Sequence, residues 1–209
     1  MQTIRRMSLD PHDCQRQHAV MSLIKDILKY NADFVQKREY EAYRTDQFPN
    51  KKLLVITCMD TRLVELLPRA MNLRNGDVKM IKVAGAVITH PFGSVMRSIL
   101  IAVHQLHVQE IAVVGHHDCG MINFHCQALL EQALASGVSQ DVIDTLQNAG
   151  IDLDRWLTGF EKVEDGVRGS VRVIRSHPLM RPGIPIHGLI IHPETGKLDL
   201  IRDGYDSTK

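Results

Sequence analysis

Three chemically different side chains occur at alternate positions just after a short apolar run. The run covers residues 53–58 (LLVITC), and the three side chains are those of Cys58, Asp60 and Arg62. An apolar core has no use for a carboxylate and a guanidinium, because burying charge is costly. A cysteine thiolate is a metal ligand or a nucleophile, and a guanidinium can bind a carboxylate through two parallel hydrogen bonds. This stretch therefore indicates a site of chemistry rather than a core.

A second group of reactive side chains lies in the sequence GHHDCG at residues 115–120, which contains His116 and Cys119. Together with Cys58 they provide two sulfurs and one imidazole, a set that suits tetrahedral Zn²⁺. Three protein ligands leave a fourth coordination position for water or substrate, as in catalytic zinc sites. The sequence predicts one zinc ion per chain.

The elements that must position these residues alternate between strand and helix. Apolar, β-branched runs predict strands at 53–58, 78–85, 110–116 and 186–192, with the clearest helices at 94–107 and 163–177. This order predicts an α/β fold with a central, mostly parallel β-sheet flanked by helices. A hairpin around residues 194–196 adds an antiparallel edge strand, and residues 121–160 form a helical lobe.

The predicted sheet explains how distant residues could meet. In open α/β sheets, ligands bind beyond the carboxyl ends of the strands, and both reactive groups follow such ends. A third strand ends in the small residues Ala84-Gly85-Ala86, which we expect to leave space for a substrate.

The N-terminal region differs from the rest. Residues 1–18 are polar, and residues 19–37 show helical spacing of Val20, Leu23, Ile24, Ile27, Leu28 and Phe34. We expect a single domain over residues 1–209, in which the arm and helix at 1–37 pack on the domain or on a partner subunit.

Composition narrows the function classes. The 25 basic and 24 acidic residues give a net charge of +1, which argues against nucleic acid as a main partner. The N-terminus lacks the apolar region of a secretory signal, and no stretch approaches the ~20 apolar residues of a membrane span. We therefore expect a cytoplasmic protein, in which the four cysteines do not form disulfides.

The motifs resemble those of one known family, the β-class carbonic anhydrases, and most closely its compact prokaryotic branch. The matching residues are Cys58-x-Asp60-x-Arg62 and His116-x-x-Cys119, with further similarity in VAG at 83–85 and HGLIIHPETGKL at 187–198. The resemblance extends from about Leu53 to Asp203.

The resemblance implies zinc-dependent, reversible hydration of CO₂ to bicarbonate by a zinc-bound hydroxide. Cys58, His116 and Cys119 would bind zinc, and Asp60 and Arg62 would form a catalytic dyad. Asp60 would orient the fourth ligand while Arg62 restrains Asp60, which would join the metal only in a closed state. The resemblance also implies a homodimer or larger assembly, in which the N-terminal arm wraps a neighbouring subunit.

The substrate pocket is expected at Gly85, Ala86 and Gly120, and its wall departs from the family pattern. Val83 and Ala86 stand where many relatives have asparagine, and His117 stands where many have threonine or serine. The less polar wall keeps open an alternative activity, the hydrolysis of carbonyl sulfide or carbon disulfide. A second alternative is a non-catalytic, zinc-stabilised dimeric binding protein.

Structural explanations of the same residues also remain open. Cys58 could be a packed core thiol, and Asp60 could pair with Arg62 or cap a helix beginning near Leu63 without any catalytic role. His117 competes with His116 as the metal ligand. The expected roles are plain thiols for Cys14 and Cys126, surface or packing roles for His104, His107 and His125, and tight turns for Gly85 and Gly120.

Overall fold

The computed structural model describes the backbone of residues 11–206 and the side chains of residues 23–206. It divides the chain into two compact units, Met1–Thr45 and Asp46–Lys209. The expected N-terminal helix falls in the first unit, and the expected sheet falls in the second. A single domain over the whole chain stays a prediction.

The first unit contains helix α1, Pro11–Gln36, followed by a 3-10 helix, Glu39–Tyr43. The prediction that the helix begins near residue 19 was wrong, because apolar periodicity detects only the part of a helix that carries an apolar stripe. Pro11 suits the first helical turn, where no backbone N–H is needed. Four aliphatic side chains of α1 are each more than half exposed: Leu23, Ile24, Ile27 and Leu28. Residues 1–10 of the predicted polar arm lie outside the described residues.

The second unit is built on a five-stranded sheet in the order β2-β1-β3-β4-β5. Its strands are β1 (Leu53–Cys58), β2 (Val78–Val83), β3 (Glu110–His116), β4 (Ile186–Ile191) and β5 (Leu198–Arg202). The first four are parallel, and β5 pairs antiparallel with β4. The predicted fold class is therefore confirmed, including the C-terminal edge strand.

Helices cover both faces of the sheet. They are α2 (Leu63–Ala70), α3 (Ser94–Gln105), α4 (Cys126–Ala135), α5 (Gln140–Asn148), α6 (Leu153–Leu157) and α7 (Val163–Arg175). Alternate residues of β1 enter two separate cores, as expected for a strand buried on both sides. Leu54 and Ile56 pack with residues of α3 and α7, whereas Val55 packs with residues of α2.

The predicted lobe is formed by α4, α5 and α6 around a small core of Cys126, Ile143 and Leu153. Cys126 is a free, buried thiol there, whereas Cys14 lies among residues whose side chains are not described. Within the described part of the chain, no helix combines the length and the apolar character needed to cross a membrane.

Parallel pairing places the reactive residues at one edge of the sheet. In the register of β1 and β3, Thr57 pairs with Val114, so Cys58 and His116 both lie at the carboxyl ends of neighbouring strands. Cys58 also pairs with Val83 of β2. A 3-10 turn, Ala84–Ala86, follows β2 directly and lies at the same edge.

Candidate metal centre

Cys58, His116 and Cys119 form a cluster that could hold a metal ion. Their three potential ligand atoms all lie within 4.8 Å of one another, and all three residues are buried. The two sulfurs are 3.9 Å apart, far beyond the ~2.05 Å of a disulfide bond, and both cysteines are free. The structure thus unites two residues at strand ends with a third from the turn after β3.

Hydrogen bonding fixes the orientation of the His116 ring. Its Nδ1 atom lies 2.7 Å from the backbone oxygen of His117. A carbonyl oxygen only accepts, so Nδ1 carries the proton and Nε2 of the neutral ring presents a lone pair. This Nε2 atom is buried and has no hydrogen-bond partner. A buried acceptor without a partner is costly, and a metal ion at the cluster would satisfy it.

His116, rather than His117, supplies the imidazole of the cluster. The ring of His117 packs instead against His192, with 5.7 Å between the ring centroids. Two other histidines also have contacts elsewhere: His104 Nε2 lies 2.8 Å from the Leu179 oxygen, and His107 stacks on Phe48.

The electrostatics of the cluster favour a cation. The Cys119 thiol, hydrogen-bonded to the Cys58 sulfur, lowers the pKa of Cys58 to about 4 against the opposing effect of burial. The Cys58 thiolate and burial in turn raise the pKa of Cys119. Burial lowers the pKa of His116, but interactions with the Cys58 sulfur and the His117 carbonyl raise it overall, so the surroundings of Nε2 favour a bound proton or metal ion over a free lone pair. A dication would stabilise both thiolates at once, so the donor set fits Zn²⁺.

Asp60 and Arg62 form a two-pronged ion pair beside the cluster. Arg62 Nε donates to Asp60 Oδ1 at 3.1 Å, and Nη2 donates to Oδ2 at 2.9 Å. The Arg62 backbone N–H also donates to Oδ1, at 2.8 Å. The hydrogen bonds from the Arg62 side chain are the main reason that the pKa of Asp60 falls to about 2.

The Asp60–Arg62 ion pair lies next to the cluster of potential metal ligands. Asp60 Oδ2 lies 3.8 Å from His116 Nε2, the unpartnered atom described above. Arg62 Nη2 also donates to the backbone oxygen of Asp118, next to Cys119. Arg62 directly precedes α2, and the Asp60 carboxylate accepts the Arg62 backbone N–H there, so Asp60 also stabilises the chain at the start of this helix.

The three residues expected to line a substrate pocket have different surroundings. Gly85 donates its N–H to Cys58 Sγ at 3.3 Å. A methyl group on Gly85 would lie 2.9 Å from Phe160 Cε1 and 3.0 Å from Met121 Cβ, so these two side chains fill the space beside it. Ala86 is fully buried, whereas Gly120 is exposed with open space around it. The role of Gly85, Ala86 and Gly120 in substrate binding stays a prediction.

Sequence reasoning missed the contribution of Phe160 and Met121. The Phe160 backbone N–H donates to the Met121 oxygen at 3.1 Å, and this bond helps to fasten the end of the lobe beside the cluster. The sequence signal for this packing was the pair of glycines Gly159 and Gly166, because a side chain at these positions would collide with Met121 and with the Phe160 ring, respectively.

Comparisons with known proteins agree with this geometry. The sequence profile of the carbonic anhydrase family matches residues 53–198, most of the chain. A crystal structure of β-carbonic anhydrase isoform I from Trichomonas vaginalis superposes with a TM-score of 0.79 at 35% identity, covering 87% of this chain and 98% of that one. The chain belongs to the β-carbonic anhydrase family.

Relatives within and around this family carry different names. YtiB of Bacillus subtilis, named as a candidate carbonic anhydrase, is 55% identical over 187 residues, covering 90% of this chain and all of YtiB. A carbon disulfide hydrolase of Acidithiobacillus thiooxidans is 26% identical over 177 residues, covering 80% of this chain and 86% of the hydrolase. Family membership therefore leaves more than one substrate to consider for this β-carbonic anhydrase.

Proposed function

We propose that this β-carbonic anhydrase catalyses the reversible hydration of CO₂ to bicarbonate, with one Zn²⁺ per chain held by Cys58, His116 and Cys119. One observation carries the proposal: an ionised carboxylate, held by Arg62, lies 3.8 Å from a buried imidazole nitrogen that has no hydrogen-bond partner. Metal-ligand atoms and a restrained hydrogen-bond acceptor are thereby side by side.

When bound at this centre, zinc would acidify a water molecule and supply a hydroxide nucleophile near neutral pH. Asp60 Oδ2 would accept a hydrogen bond from this nucleophile and so orient it. Arg62 would keep Asp60 ionised and turned away from the metal through its two side-chain bonds. The His117 carbonyl would fix the His116 ring, as outer partners of metal-bound histidines commonly do.

The Asp60–Arg62 pair also bears on the non-catalytic alternative. A closed centre would need Asp60 on the metal, and Asp60 cannot satisfy the metal and both prongs of Arg62 together. In the structure both carboxylate oxygens accept hydrogen bonds from Arg62, which supports an open fourth position.

A second candidate substrate class is carbonyl sulfide or carbon disulfide, linear molecules like CO₂. The apolar character of the surroundings favours it: Val83 and Ala86 are accompanied by Met121 and Phe160. The relationship to a carbon disulfide hydrolase points in the same direction. Assays of one zinc-loaded preparation with all three substrates would decide, and we expect CO₂ to give the largest kcat/KM.

We also propose that the protein acts in the cytoplasm and self-associates at least as a homodimer, with CO₂ and bicarbonate as its small-molecule partners. The exposed aliphatic residues of α1, among them Leu23 and Leu28, support self-association, because a helix with such a face gains stability by covering it.

The test of the proposed activity is CO₂ hydration measured by stopped flow, with zinc content determined on the same sample. We expect about one zinc per chain, as for a single tetrahedral site, and turnover that disappears in Cys119→Ser together with the metal. A zinc-loaded protein that hydrates none of the three substrates would refute the enzymatic proposal.

A further inference from the structure

The turn Ala84–Ala86 has an unusual backbone next to the metal centre. Gly85 and Ala86 both have positive φ angles, 63° and 57°. This left-handed region suits glycine, but it is unfavourable for alanine and persists only where the surroundings impose it. The turn directs the Gly85 N–H at Cys58 Sγ, over 3.3 Å.

Phe160 holds this turn from one side. Its ring lies between two glycines, since a methyl group on Gly85 would be 2.9 Å from Cε1 and a methyl group on Gly166 would be 2.5 Å from Cδ1. The ring therefore packs against the backbone of the turn at Gly85 and against the backbone of α7 at Gly166, where no side chain intervenes. Gly85 cannot move towards α7 without displacing the ring.

Ser170 of α7 holds the same turn by hydrogen bonds. Its hydroxyl donates to the Ala86 oxygen at 3.0 Å and accepts the N–H of Ile88 at 3.1 Å. Ser170 is only 2% exposed, so water competes little for these bonds. They fix the backbone immediately after Gly85, on the side of the turn that leads away from β2.

We propose that Phe160 and Ser170 are positioning residues of the metal centre, which together hold the Gly85 N–H on the Cys58 sulfur. An N–H bonded to a metal-bound thiolate withdraws charge from the sulfur, and outer partners of this kind tune a metal site. Two residues that are far from Cys58 in sequence, and that supply none of the three ligand atoms, would therefore set its donor strength. The inference rests on the proposed metal site.

The test uses the full chain loaded with Co²⁺, whose sulfur-to-cobalt charge-transfer band reports the electron density on the thiolates. We expect this band to move to longer wavelength in Ser170→Ala and in Phe160→Leu, because a thiolate without its N–H donor holds its electrons less tightly. Val171→Ala is the matched control. It removes buried methyl groups from the same helix but leaves both contacts with the turn intact, and its band should coincide with that of the wild type.

The possible outcomes distinguish a failure of the positioning role from a failure of the proposed metal site. If both test variants bind cobalt with an unchanged band, or if Val171→Ala shifts the band equally, the positioning role is wrong although the metal site stands. If the wild type binds neither cobalt nor zinc, the proposed function fails and this inference fails with it. Should Phe160→Leu not fold, Ser170→Ala alone still decides, because it changes little volume.

Discussion

Replacing Arg62 with alanine should free the Asp60 carboxylate to move without removing its negative charge. The pKa of Asp60 is lowered from 3.8 to about 2, chiefly by the hydrogen bonds from the Arg62 side chain, with smaller contributions from the Arg62 backbone N–H and from nearby positive charge. Even without them, the carboxyl would keep a pKa far below neutral pH, so Asp60 stays ionised in Arg62→Ala throughout the assay range. Any loss of activity therefore reports the freed position of the carboxylate.

The expected loss is large because Arg62 supplies both side-chain prongs that hold Asp60. Outer partners of metal sites commonly affect activity by ~10–100-fold, and we expect kcat to fall by about 100-fold. Zinc should stay bound, since Arg62 provides none of the three ligand atoms. Arg62→Lys should restore activity only in part, because an ammonium cannot form the two-pronged pair.

The assay is stopped-flow CO₂ hydration from about pH 6.5 to 9.5, a range that brackets the expected titration of zinc-bound water. Zinc content is measured for every variant. Arg69→Ala on the exposed face of α2 is the matched control and should behave like the wild type. Near-native activity in a zinc-loaded Arg62→Ala variant would refute the restraining role of the dyad.

Further predictions concern metal, pH, the Asp60 carboxylate, the turn and assembly. His116→Ala should lose most zinc while His117→Ala retains it, as measured by metal analysis; equal retention would remove His116 from the centre. Wild-type activity should rise from about pH 7 to 9 as the nucleophile forms. The depressed pKa of Asp60 means that its ion pair with Arg62 is complete above the ordinary value of 3.8 and weakens only as pH falls towards about 2. The titration of Asp60 therefore cannot cause the rise in activity near neutral pH. Asp60→Asn should accordingly lower activity at every pH, and a simple displacement of the profile would contradict this. Gly85→Ala should cost roughly 1–3 kcal/mol of unfolding free energy, from a left-handed backbone and contacts of 2.9–3.0 Å, as measured in denaturant; an unaffected midpoint would disprove the close packing. Removal of residues 1–37 should give aggregating protein in size-exclusion chromatography, and an active, stable monomer would argue against the proposed dimer.

The sheet and the cluster were predictable because both depend on local patterns. Apolar, β-branched runs mark the four parallel strands, and parallel strands bring their carboxyl ends to one edge whatever lies between them in sequence. Cys58 and His116 could therefore be placed together from the sequence alone. The choice of His116 over His117 also followed from the spacing to Cys119, and the cluster contains His116.

Other features depend on packing that no local pattern reveals. The apolar stripe of α1 begins well after Pro11, so periodicity placed the start of the helix too late. Small residues at 84–86 were expected to leave room, but the size of a residue does not show which distant side chain fills the space. Phe160 reaches Gly85 only because the lobe returns to the sheet edge beside Met121.

The most direct test of the proposed function is the CO₂ hydration rate per bound zinc, compared between the wild type and Cys119→Ser. The wild type should bind about one zinc per chain and hydrate CO₂, as expected for one catalytic site. Cys119→Ser should lose both zinc and activity, because a serine hydroxyl does not ionise to a comparable ligand at neutral pH. CO₂ hydration that persists in a metal-free Cys119→Ser variant, or its absence from fully zinc-loaded wild type, would contradict the proposed zinc-dependent mechanism.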